Sequence, residues 1–119
     1  MKIKSMYPSL VSKDSKRILE FFYGAGFELE SEKKGAFGNN YIEYKLKNEA
    51  GDLLEISQSN TTYGKEEQCL IMLVEDFEES LEHFKKHDYK IVEGPETING
   101  IKTCVVKNHT NLIKIEESK

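Results

Sequence analysis

Gly51-Asp52-Leu53-Leu54-Glu55-Ile56-Ser57 reads as a strand with Leu54 and Ile56 on one side and Leu53, Glu55 and Ser57 on the other. An acidic group therefore stands on the face opposite the strand's best core residues. Leu112-Ile113-Lys114-Ile115-Glu116 repeats the pattern, with a lysine where the glutamate stood. Two matching strands, far apart in the chain, suggest that the sequence contains the same unit twice.

Working outward from them, Ile3 to Val11 reads as a strand, with Pro8 calling for an edge or a bulge. Ser12 or Asp14 caps a helix from Ser15 to about Tyr23, whose apolar stripe is Ile18, Phe21, Phe22 and Ala25. Phe27 to Lys33 alternates Phe27 and Leu29 against Glu28, Glu30 and Glu32, the pattern of a half-buried strand. Residues 35–40 form a turn, Tyr41 to Lys47 a strand, and Asn48 to Asp52 a turn into the opening segment. After a polar connection the order restarts. Cys69 to Val74 is a strand, and Asp76 to His87 a helix buried along Phe77, Leu81 and Phe84. Tyr89 to Glu93 is a strand, Gly94-Pro95 a turn, and Ile101 to Lys107 and Leu112 to Glu116 are the last strands. The halves align at one offset over their first thirty residues or so, Tyr7 with Cys69, Asp14 with Asp76, Phe22 with Phe84 and Leu29 with Ile91, and at an offset three residues shorter near the end, Leu53 with Leu112 and Glu55 with Lys114. The fold class is thus α+β, a duplicated βαβββ unit. Module one runs from about 3 to 58, the connection spans 59–67 and module two covers about 68 to 117, all within a single domain, 1–119.

Composition narrows the function classes. With 32% charged and 38% apolar residues the chain suits a thin core under well-solvated surfaces. A net charge of −4 gives no footprint for nucleic acid or anionic lipid. The longest clean apolar run, Cys69 to Val74, is far too short to span a membrane. No secretory leader opens the sequence and both cysteines, Cys69 and Cys104, lie in apolar strand context, so reduced thiols and a cytoplasmic location are expected. His83 and His87 stand four apart on the second helix without the glutamate of an HExxH site, and helical phase places them off its apolar stripe. Neither cysteine has a histidine at a recognisable spacing, and no nucleophile elbow or phosphate-binding glycine loop is present.

Tyr7-Pro-Ser-Leu-Val-Ser-Lys-Asp14, followed by Ile18-Leu-Glu-Phe-Phe-Tyr23 and Gly26-Phe27, resembles the vicinal oxygen chelate superfamily of glyoxalase I, bleomycin-resistance proteins and extradiol dioxygenases. Leu73-Val-Glu-Asp76, Gly94-Pro95 and the closing strand carry the resemblance in the second half. It implies two βαβββ modules forming a curved mixed sheet around a cleft, with the helices outside. Metal-dependent members place one ligand on the first and last strand of each module, which here are Tyr7, Glu55, Cys69 and Lys114. Only Glu55 matches the usual His/Gln, Glu, His, Glu pattern, and Asn108-His109-Thr110-Asn111 replaces the usual Asp-Pro-x-Gly turn.

The resemblance and these departures together imply a small-molecule binding protein that uses neither metal nor cofactor. Its ammonium at Lys114 would take roughly the place of the metal and pair with Glu55. Alternation assigns Leu53, Ile71, Leu73 and Leu112 to the cleft walls, with Tyr7, Ser9, Tyr41 and Ser57 as aromatic or polar handles and Cys69 beside them. The resemblance also implies a homodimer, with Tyr7 and Glu55 of one subunit facing Cys69 and Lys114 of the other. Two alternatives stay open: a glyoxalase-like, metal-dependent lyase or dioxygenase with a degenerate site, and an interaction module with no ligand of its own.

Overall fold

Alternating apolar residues and strong helix stripes give ten elements in the computed structural model, which describes residues 1–34, 42–58, 68–109 and 111–118. In chain order they are β1 (Ile3–Ser12), α1 (Ser15–Gly24), β2 (Phe27–Lys34), β3 (Ile42–Asn48) and β4 (Leu53–Gln58). They continue as β5 (Gln68–Val74), α2 (Phe77–Lys86), β6 (Lys90–Ile98), β7 (Ile101–Asn108) and β8 (Asn111–Glu117). The fold is α+β, and βαβββ occurs twice. Tyr41, the expected turn 35–40 and the expected connection 59–67 lie outside the described residues.

The chain divides into two compact units, a first of Tyr7–Gln68 and a second of Met1–Met6 with Cys69–Lys119, so the division falls inside β1. The first unit is a mixed sheet. β2 pairs antiparallel with β3 and β3 antiparallel with β4, while β4 pairs parallel with β1 from Ser9 to Ser12. The second unit repeats this scheme: β6 with β7 and β7 with β8 antiparallel, β8 with β5 parallel. In both, the helix supplies the crossover that a parallel pair requires.

Each helix covers one side of its own sheet. In the first unit Ile18, Leu19 and Phe22 pack on Leu46, Leu54 and Ile56, and Phe22 meets Phe27 edge-on at 5.5 Å. The expected stripe was slightly out of phase. Phe21, one residue and about 100° from Phe22, is 69% exposed, and Leu19 takes its place. In the second unit Phe77, Leu81 and Phe84 pack on Met72, Val74, Cys104, Val106, Ile113 and Ile115, as their spacing predicts.

The caps differ between the helices. Asp76 accepts the Glu79 amide at 3.0 Å and so satisfies a first-turn donor. Asp14 occupies the same position on α1 but makes no side-chain cap bond, and Ser12 Oγ instead accepts the Asp14 amide at 3.0 Å.

Two strand readings are corrected. Leu29 stands opposite the buried Leu46 in the β2/β3 register, yet it is 45% exposed, because β2 is an edge strand and Leu29 is not packed into the cluster that Phe27 joins. Gly94-Pro95 is not a turn. β6 runs through it, with a cis Gly94–Pro95 bond and a register shift between Glu93 and Glu96. The chain reverses at Asn99-Gly100, whose φ values of 53° and 80° match the mirror-image turn that twisted hairpins favour.

Candidate functional site

The face of the first unit turned away from α1 holds the opening strand's acid. Strand register places Ser9, Glu55 and Lys45 in one row across β1, β4 and β3, and Val11, Ser57 and Glu43 in the next. Glu55 is 3% exposed, and its Oε2 accepts hydrogen bonds from Ser9 Oγ and Ser57 Oγ, each at 3.0 Å. The two hydroxyls lie 3.2 Å apart, so both serines and the carboxylate form one small network. Two donors on one oxygen fix the orientation of the carboxylate. Beside it the Lys45 ammonium sits 5.2 Å from the centre of the Tyr7 ring, a cation–π contact, and 3.8 Å from Glu30. Glu43 is buried as well, 3.9 Å from the Lys33 ammonium.

In the second unit the face turned away from α2 has a different chemistry. Ile71, Lys114 and Val105 form one row across β5, β8 and β7, and Leu73, Glu116 and Thr103 the next. Lys114 is 1% exposed, and its Nζ lies 3.2 Å from Glu116 Oε1. Cys69 and Leu112 are buried on the same face, and both cysteines are free thiols. Here a lysine–glutamate ion pair is set among mostly aliphatic side chains, where the first unit has an acid bonded by two hydroxyls.

The structure therefore places Tyr7, Ser9, Leu53, Glu55 and Ser57 together on one face of the first unit. It places Cys69, Ile71, Leu73, Leu112 and Lys114 together on one face of the second. Tyr41 lies outside the described residues. The sequence reading left out Glu43, Lys45, Thr103, Val105 and Glu116, which share those faces. A signal for Glu43 and Glu116 was present, since they stand two residues from Tyr41 and Lys114, whereas Lys45, Thr103 and Val105 join those faces only through strand pairing. His83, His87 and His109 are exposed, as helical phase and turn context suggested.

No family model matches the chain, and no curated protein matches it. Solved structures do. Over 98% of this chain and 89% of the other, it is similar to methylmalonyl-CoA epimerase from Mycobacterium tuberculosis, at 11% identity and a TM-score of 0.73. A glyoxalase/bleomycin resistance protein/dioxygenase superfamily member from Vibrio splendidus 12B01 matches over 96% and 98%, at 16% identity and a TM-score of 0.66. Glyoxalase I from Zea mays matches over 92% of this chain at 13% identity and a TM-score of 0.68, and this chain spans 41% of its length.

The chain has the vicinal oxygen chelate fold.

The resemblance to metal-dependent members puts ligand positions at Tyr7 and Glu55 in the first unit and at Cys69 and Lys114 in the second. Neither set of donors suits a divalent metal ion. Lys114 brings a buried cation already paired with Glu116, and a second cation, Lys45, lies against the Tyr7 ring. Cys69 Sγ is directed at the Leu70 carbonyl, 3.7 Å away. Glu55 and the Cys69 thiol have a ligand's chemistry, and the Glu55 Oε2 is engaged by two hydroxyls. A carboxylate and a phenol in the first unit, and a thiol and an ammonium in the second, are each a poor set for a first-row ion.

Proposed function

We propose that this vicinal oxygen chelate protein binds a small organic molecule without the help of a metal, and that it sequesters the molecule rather than transforming it. Buried charge supports the reading most directly. Glu43, Glu55, Lys114 and Glu116 lie on the sheet faces opposite the helices, where hydrophobic residues of similar volume would often be at least as stable. Groups kept there at a cost to stability are candidates for recognition. A ligand bearing an anionic or carbonyl oxygen would use the ammonium of Lys114. Aliphatic surface from Ile71, Leu73 and Leu112 beside Cys69 would complete a mostly apolar site in the second unit, while Leu53, Ser9, Ser57 and the Tyr7 ring offer polar and aromatic handles on the face of the first. We take the protein to be a cytoplasmic homodimer in which the two modules make one domain.

One observation favours an enzyme instead. Glu55 is buried, oriented by hydroxyls and stands at the one position that matches the metal-dependent pattern. A native mass spectrum of the protein as purified, with elemental analysis, separates the readings. The binding reading expects a co-purified organic molecule and well under one equivalent of Zn, Ni, Mn or Fe. A stoichiometric ion lost on Glu55→Gln would overturn it and establish the lyase or dioxygenase class.

A further inference from the structure

The second unit has a groove on the α2 side of its sheet, away from the residues discussed above. Its volume is about 490 Å³, and it is lined by Met1, Ile3, Met72, His83, Phe84, His87, Tyr89 and Ile113. Phe84, Met72 and Ile113 are buried members of the unit's core, so that part of the lining is rigid. Phe84 also meets Tyr89 edge-on at 4.9 Å.

His83 and His87 are four apart on α2 and its C-cap, a spacing that puts side chains on one face about 5–6 Å apart at Cβ. Their rings are 4.6 Å apart, centre to centre, and tilted by 51°. Rings this close, and not stacked flat, can direct one nitrogen each to a common point. Two features hold the second ring's backbone in place. The His87 amide donates to the Phe84 carbonyl at 3.1 Å, and the His87 carbonyl accepts from Asn108 Nδ2 at 3.1 Å. A cation here also sits at the C-terminal end of the helix, where the peptide dipoles favour positive charge.

The remaining donors indicate which cation. Among the groove's lining residues are two imidazoles and two thioethers and no carboxylate. Hard ions such as Mg²⁺ and Ca²⁺ need oxygen ligands, whereas imidazole suits copper, nickel and zinc. We propose that His83 and His87 chelate a nitrogen-preferring divalent transition-metal ion at this groove, with Cu²⁺ held most tightly and solvent completing its coordination. The site is independent of the fold's usual metal positions and of the ligand reading above.

The test is a titration of the full chain with Zn²⁺, followed by the ring signals of the three histidines in ¹H–¹⁵N spectra, and with Cu²⁺ and Ni²⁺ by calorimetry. His83 and His87 should shift together and saturate at one equivalent, with His109 unmoved. His83→Asn and His87→Asn should each weaken binding by more than the roughly tenfold that even an outer-shell change causes. The double variant should abolish it, and His109→Asn should leave it intact. All of these positions are exposed, so the variants should fold. Wild-type affinity in the double variant, equal response of all three histidines, or Mg²⁺ binding as tight as Cu²⁺ would each overturn the site.

Discussion

Lys114 and Glu116 stand two apart on β8, and their charged atoms meet at 3.2 Å with side chains only 2% and 9% exposed. Alternation puts both on the face away from α2, so the pair follows from the strand's period and needs no loop or long-range approach to form. A lysine in that setting is held by its counter-charge, because an ion taken out of water without one is strongly destabilising.

Replacing Lys114 with Met should therefore destabilise the protein by about 3–5 kcal/mol, the usual effect of removing one member of a buried pair. Adding Glu116→Gln to that variant should restore part of the loss, since the second change removes the charge left behind. Urea denaturation of the wild type, both single variants and the double variant measures the coupling. A double variant no better than Lys114→Met would show that the two groups do not act as a pair.

Ser9 and Ser57 each donate to the same oxygen of Glu55. Removing either hydroxyl should cost about 1–3 kcal/mol, the range for a lost bond to a buried charged group. Because the hydroxyls also touch each other, Ser9→Ala and Ser57→Ala should be non-additive in a double-mutant cycle. Simple additivity would mean that the network is two separate contacts.

The two helix starts should respond differently to the same change. Asp76→Ala removes a real cap bond and should cost about 1 kcal/mol. Asp14→Ala, at a position with no such bond, should fall within about 0.5 kcal/mol of wild type. Thermal melts of the two variants, compared side by side, check the contrast.

Burial pushes the Cys104 thiol up to about 11 from an ordinary 9.0, against the opposing charge of Lys85. The folded value lies above the unfolded one, so between them the unfolded chain releases a proton that the folded chain keeps. Stability is therefore full below pH 9 and falls as pH rises through that window, by at most about 1.4 kcal/mol per pH unit from this group. Denaturation midpoints from pH 8 to 11 should show a steeper alkaline decline in the wild type than in Cys104→Ala. Parallel curves would remove the thiol as the cause.

Much of this was legible in the sequence, because strand alternation and helix spacing are local. The periods of Leu54/Ile56 and Ile113/Ile115 fixed which face each strand buries, and therefore which face carries Glu55 and Lys114. The duplicated element order and the Phe77/Leu81/Phe84 stripe followed from the same kind of pattern. The hairpin at Asn99-Gly100 was also readable, since asparagine followed by glycine between strand-like runs is a strong turn signal, but Gly94-Pro95 drew the turn instead.

Other features were decided only in the tertiary structure. Whether Phe21 or Leu19 enters the core depends on how α1 is rotated against Leu46, Leu54 and Ile56, and a rotation of half a residue's angle is invisible in the spacing. The exposure of Leu29 depends on its strand lying at the sheet's edge beyond β3, a position that only strand pairing defines. The 3.2 Å contact of Lys114 with Glu116 is likewise set by side-chain conformation within the fold. Ser9 and Ser57 became donors to Glu55 because a parallel pairing of β1 with β4 set Ser9 directly beside it. Period determines the face a side chain takes, but the neighbours it meets there are chosen by strand pairing, which joins residues far apart in the chain.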